Sequence, residues 1–320
     1  MRSKYLLLSL LIALMTVTTA WGQFKKEASS PDKAEFGESK PQRWKMGIIL
    51  TAAGGPCLAT TGYVPVPVDW PEQKVREINE DVSSSAKISY KKVDGVMKLM
   101  VIKISRLAAG QTAKALVTFE VTHRPQLPPE KTDQYVFANT RKLPRNVRRY
   151  LKPSPKIECK ESKIIDLAKK LGNDQPTDWQ KVEAVYDYVR DKIKYKRGRQ
   201  KSAIETLKTS EADCEGMTAL FIAICRAKNI PARTVWVQGH CYPEFYLNDK
   251  EGKGHWFPCQ VAGDPAFGGI PETRPIWQKG DDFRLPDQPG THVHYLPERI
   301  TGSIPRAQPR ARFVREAVSK

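Results

Sequence analysis

A cysteine and a histidine stand 26 residues apart in the second half of this 320-residue chain, Cys214 in Asp213-Cys214-Glu215-Gly216-Met217 and His240 in His240-Cys241-Tyr242-Pro243-Glu244. A thiol attacks a carbonyl only as its thiolate, which is favoured at a helix start and beside an imidazole that can take its proton. The local pattern supplies both conditions. Met217, Leu220, Phe221 and Ile224 recur at helical spacing, and the run stops before Lys228-Asn229-Ile230-Pro231. A helix therefore begins at about Cys214, with Asp213 as its cap and Gly216 keeping the approach to the thiol open. Beyond Pro231, Ala232-Arg233-Thr234-Val235-Trp236-Val237 alternates and is β-branched, which predicts a strand leading through Gly239 to His240. A lone cysteine would read as core filler, since free cysteine is among the most buried residue types. The helix start, the glycine and the ordered histidine strand together favour a nucleophile and its base.

These segments carry a family resemblance. Cys214-x-Gly216, the apolar helix through Cys225-Arg226-Ala227, and then Asn229-Ile230-Pro231-Ala232-Arg233 resemble the transglutaminase-like superfamily of papain-fold cysteine enzymes. His240-x-Tyr242-x-Glu244-x-Tyr246 is similar to that family's His-x-aromatic-x-Glu strand, and the likeness spans about residues 160 to 285. It implies an α+β papain-like domain that works on amide bonds through a Cys214 thioester, with His240 as proton carrier.

The family's third residue is an acid on the next strand, in a Trp-x-Pro-x-Asp run. Here Trp256-Phe257-Pro258-Cys259 is followed by Gln260. A glutamine carbonyl can accept the His240 Nδ1–H and fix the tautomer, but it cannot stabilise an imidazolium by charge. Asp264, four residues on, is the rival. The polar turn from Asn248 to Gly254 predicts a hairpin centred on Lys250, which sets Gln260 opposite His240 and favours it; Asp264 reaches His240 only if the strand folds back at Gly263. The same register sets Cys241 opposite Cys259, where a cross-strand disulfide could form.

Two functions are compatible with these residues. One is an exported cysteine-dependent amidase, peptidase or transglutaminase acting on a protein or peptide, with Cys214 as nucleophile, His240 as base and acid, Gln260 as orienter and the Cys214 N–H facing the oxyanion. The other is an inactive member of the same fold that binds or scaffolds a cell-envelope partner, for which the missing acid speaks. Tyr195, in Ile193-Lys194-Tyr195, could also donate to an oxyanion, although a packing aromatic is the plainer reading. His292 and His294 sit two apart with no adjacent Cys, Asp or Glu and read as solvent-exposed. No phosphate loop, internal repeat or metal-ligand cluster is visible, so neither cofactor nor metal is expected.

The elements that must position these residues follow from the rest of the chain. Arg2 and Lys4, a Leu/Ile/Ala core and Thr19-Ala20-Trp21-Gly22 read as a signal peptide over 1–22, shorter in its apolar run than the ~20 residues of a membrane span. Its removal lowers the formal charge from +18 to +16. Export argues against nucleic acid as partner, and an anionic envelope polymer fits the basic surface. Six cysteines in an exported chain leave an odd number once Cys214 is set aside. Residues 23–40 are polar and predict a flexible leader. Alternating runs at Met46–Leu50, Ile88–Val93, Val96–Ile104 and Ala115–Thr122 predict an N-terminal antiparallel β-sandwich over 41–124. Arg124 to Pro129 is the linker. Thr177-Asp178-Trp179-Gln180 opens a helix with Val182, Val185, Tyr186, Val189 and Ile193 on one face, within a transglutaminase-like domain over 130–298. The Pro/Arg-rich end, 299–320, predicts a disordered basic tail.

Overall fold

The computed structural model describes residues 36–303 and 309–319; the expected signal peptide, the leader up to residue 35 and residues 304–308 lie outside the described residues. Alternation in the first part does produce a sandwich of two four-stranded antiparallel sheets. One runs Arg310–Val318, Lys40–Thr51, Thr112–His123, Gln73–Val82, and the other runs Arg299–Ser303, Cys57–Val66, Met97–Leu107, Ala86–Val93. Their inward faces share one core of Met46, Ile48, Leu50, Val64, Met100, Ile102, Val117 and Phe119. Each of these side chains contributes on the order of 1.5–3 kcal/mol through burial. Gly47 is required here. Its φ is +150°, and a Cβ would sit 2.0 Å from the Ala115 carbonyl oxygen of the neighbouring strand.

The tail departs from expectation. Residues 299–303 and 310–318 are strands, one in each sheet of the sandwich, so the sandwich is closed by chain ends that sequence composition marks as disordered. Strand pairing explains the difference. Phe313 lies opposite Ile48 and Val314, 1 % exposed, lies opposite Gly47, while Arg310 and Arg312 remain exposed. Pro309 stands just before the strand Arg310–Val318, where no ladder hydrogen bond is needed. Part of the leader is likewise held, because Phe36 bridges Gln126 and Gly37 donates to the Pro125 carbonyl at 2.8 Å. The linker is no free tether either: Gln126 also bridges Ile270 and donates to the Trp256 carbonyl at 2.9 Å.

The second part is α+β as the sequence indicates. A five-stranded antiparallel sheet has the order Ala266–Phe267, Gly254–Gln260, His240–Asn248, Ala232–Val237, Ile276–Lys279. Against it lies the helix Cys214–Ala227, buried from Gly216 to Arg226, and around that helix pack Ser162–Lys170, Asp178–Lys192 and Ala203–Thr209. The Asp178–Lys192 helix begins where the Thr177 hydroxyl accepts from the Gln180 N–H, and Val182, Val185, Tyr186 and Val189 form its buried stripe. No helix among the described residues is long and apolar enough to cross a membrane.

Buried charges join the two parts. Lys279 lies between Glu72 of the sandwich and Glu244 of the histidine strand, and Glu244 also takes Arg233 at 2.8 Å. Burial alone would raise the Glu244 carboxyl; Lys279 and Arg233 overcome it and hold it below its ordinary value. A buried ion pair adds little net stability, but removal of one member leaves charge uncompensated. Lys279→Met should therefore cost about 3–5 kcal/mol in denaturant unfolding, whereas Lys98→Met, which breaks a half-exposed pair with Glu77, should cost at most about 1 kcal/mol. Equal costs would contradict this assignment.

Candidate active site

Asp213 caps the helix Cys214–Ala227, its side chain accepting the Gly216 N–H at 3.0 Å. Cys214 is the first helical residue and, unlike the other five cysteines, is only partly buried. The Cys214 N–H has no acceptor among the described residues, which leaves it available at the head of the helix. Gly216 has a role different from the expected one. It is buried, and a Cβ there would meet Thr206 Oγ1 at 2.6 Å and Ala212 Cβ at 2.7 Å, so it lets the helix start dock closely rather than keeping the thiol open.

His240 begins its strand after the Gln238-Gly239 turn and lines the cleft together with Cys214, near enough for the two groups to shift each other's titration. Its Nε2 lies 2.8 Å from Gln260 Oε1, so the glutamine carbonyl accepts from Nε2–H. The orienting contact expected of Gln260 is present, but on Nε2 rather than Nδ1. The hairpin is also displaced: Phe245 lies opposite Phe257 and Glu244 opposite Pro258, which centres it on Glu251 instead of Lys250. That moves the register by two residues and so keeps every side chain on its face. The ladder ends at Glu244 and Pro258, and Gln260 reaches His240 diagonally beyond it. Asp264 lies exposed past Gly263.

The electrostatics favour an ion pair. The Cys214 thiol is drawn down to about 4, first by the neighbouring Cys241 thiol, then by the imidazole of His240 and its charge, against the opposing effect of burial. Burial would lower His240, but the neighbouring Cys214 sulfur, the bond to Gln260 and the charge of Cys214 raise it. Both shifts favour the thiolate and imidazolium over the neutral thiol and imidazole. Cys241 thus acts as a partner of Cys214, and no disulfide joins it to Cys259; all six cysteines are free. With the displaced hairpin the two are no longer opposite each other. Cys241 instead faces the helix, 3.9 Å from Thr218 Oγ1, and burial pushes its own thiol well up.

The cleft beside Cys214, about 390 Å³, is lined by Gln200, Glu215, Trp236, His240, His294 and Tyr295 among others. Sequence reasoning missed most of these. His294, expected exposed, is half-buried in this wall, with Nε2 2.7 Å from Gln200 Nε2, while His292 is exposed and bonded to Asp282 Oδ1. Arg315 also reaches the cleft, carried there by the strand Arg310–Val318 of the sandwich. Tyr195 is neither a packing aromatic nor a wall residue. It is 55 % exposed, and only its short strand, paired with Glu211–Ala212, lies near the helix start. Glu244, part of the motif, holds the buried ion network and does not line the cleft.

Comparison with known proteins agrees with this architecture. Residues 165–261 match the transglutaminase-like superfamily, a span that contains Cys214, His240 and Gln260. The crystal structure of a "putative cysteine protease" from Cytophaga hutchinsonii is similar in fold, with a TM-score of 0.55 at 16 % identity, covering 88 % of this chain and 93 % of that one. A "putative protease" from Parabacteroides distasonis aligns with a TM-score of 0.28 at 12 % identity, over 73 % of this chain and 45 % of that one. No curated protein matches the chain.

Proposed function

We propose that the protein is an exported, cysteine-dependent amide-bond enzyme. The observation that carries this reading is the grouping of Cys214, His240 and Gln260 at the head of the helix, with His240 Nε2 2.8 Å from Gln260 Oε1 and the Cys214 thiol drawn down to about 4 beside the imidazole. The Cys214 thiolate adds to the carbonyl carbon, and the developing oxyanion takes the Cys214 N–H at the helix head. The His240 imidazolium gives its proton to the leaving nitrogen as the C–N bond breaks, which leaves a Cys214 thioester and a neutral imidazole. A water molecule then attacks the thioester while His240 takes its proton, and the acid and the thiol are released. An amine in place of water would form a new amide, so the acceptor alone separates an amidase or peptidase from a transglutaminase. Gln260 keeps Nε2 engaged so that Nδ1 remains directed at sulfur. Export rests on the signal-peptide pattern of residues 1–22.

An envelope extract incubated with the protein and quenched in acid tests the reading. Intact-mass analysis should find an acyl group on Cys214 in the wild type, or new amine and carboxyl termini among extract peptides. Neither should appear with Cys214→Ala. Products that persist in Cys214→Ala would remove the thiol from the chemistry.

A further inference from the structure

Glu215 follows the nucleophile, lines the same cleft and has no hydrogen bond to either carboxylate oxygen among the described residues. Its nearest cationic candidate is His294 Nε2 at 3.8 Å, beyond hydrogen-bond reach. Burial first and Lys156 second lower His294, so it is a neutral imidazole at pH 7 and offers Glu215 no charge. Lys156 faces Glu215 without forming an ion pair with it. Arg315, on the same wall, is already taken by Glu298 at 2.7 Å and by the Tyr295 hydroxyl at 3.0 Å. The indole of Trp236 lines the same cleft, held by its Nε1–H to the Gly280 carbonyl at 2.9 Å, with the Tyr295 ring 5.0 Å from it. A carboxylate without a cation, next to rigid aromatic faces in a cleft of about 390 Å³, is the chemistry that receives an ammonium.

We propose that Glu215, with Trp236, forms a subsite for a primary ammonium on the substrate, so that the enzyme selects amide bonds adjacent to a lysine-like cationic group. The ammonium is recognised there and does not react. The inference rests on Cys214 being the nucleophile. Its electrostatics are consistent: burial, Asp213 and the Cys214 thiolate together push the Glu215 carboxyl up to about 7, and a bound cation would relieve all three. Selectivity for a cation rather than mere attraction to the thiolate must therefore depend on this one side chain.

Three methanethiosulfonates of similar size test it on the full chain, carrying 2-aminoethyl, 2-hydroxyethyl and 2-sulfonatoethyl heads. In each case the Cys214 thiolate displaces methanesulfinate and a mixed disulfide forms, which places the head group beside Glu215. The rate ratio of the aminoethyl to the hydroxyethyl reagent should be roughly tenfold higher in the wild type than in Glu215→Gln, and the sulfonate reagent should show the reverse trend. Changes in thiolate reactivity cancel in the ratio. Glu215→Ala should reproduce the result if the glutamine variant does not fold. Reaction with an unchanged ratio would overturn the subsite alone, while failure of all three reagents to modify Cys214 would overturn the proposed function and the subsite with it.

Discussion

Cys214→Ala is expected to abolish turnover while leaving cooperative unfolding in place. The thiol sits at a helix start, partly exposed, and the helix is anchored by Met217, Leu220, Phe221 and Ile224 rather than by the sulfur. Alanine is the best helix former, and removal of the thiol takes away only its electrostatic interaction with Cys241 and His240. Loss of the nucleophile of a covalent mechanism removes the whole covalent route, with losses on the order of 10⁶ in serine enzymes. Denaturant unfolding measured alongside activity separates the outcomes. An unfolded variant would point to a structural cysteine, and an active variant would dismiss the mechanism.

The second large effect concerns Gln260. Its carbonyl engages His240 Nε2–H at 2.8 Å, and it offers orientation without charge. Gln260→Ala should lower the rate by roughly ten- to a thousandfold, less than the ~10⁴ lost when the charged orienter of a serine triad is neutralised. Asp264→Ala should leave the rate unchanged, because Asp264 is exposed beyond the strand. The Gln260→Ala loss should appear in kcat, with the pH profile shifting as His240 loses one of the bonds that raise it. An unaffected Gln260→Ala combined with a large loss in Asp264→Ala would assign the orienting role to the acid.

How much of this was legible in the sequence varies with how local the signal is. Cys214 and its helix are written in consecutive residues: a cap at Asp213, apolar spacing and a proline stop. The histidine strand is equally local. Gln260 still comes within reach of His240 although the hairpin centre is at Glu251 and not at Lys250, because a two-residue displacement preserves the face. The same displacement separates Cys241 from Cys259, since a disulfide needs proximity and not only a shared face. Beyond Cys214 and His240, most of the cleft wall was not legible. His294 and Tyr295 come from a segment with no periodic pattern, and Arg315 comes from a strand whose arginine content hides its pairing with Lys40–Thr51. Composition reports side chains, whereas that strand is held largely through backbone hydrogen bonds.

The buried network around Lys279 illustrates the same limit. Glu72 lies about 160 residues or more before Arg233, Glu244 and Lys279 in sequence, and each of the four reads singly as a surface charge. The fold brings them together between the sandwich and the histidine strand. Here Glu244, which the motif presents beside His240, serves to tie the two parts together.

The pH dependence of Cys214 alkylation in the native protein bears most directly on the central claim that the thiol is an activated nucleophile. A group drawn down to about 4 is already a thiolate above that pH. The iodoacetamide rate at Cys214, followed by peptide mass spectrometry, should therefore rise with a midpoint near 4 and be level from about pH 6, whereas an ordinary thiol titrates near pH 8.5. The other five cysteines are buried and should label only on unfolding. A rate that is negligible at pH 6 and climbs through pH 8 to 9, or labelling spread evenly over the six cysteines, would contradict the account and leave the chain as a transglutaminase-like fold without an activated thiol.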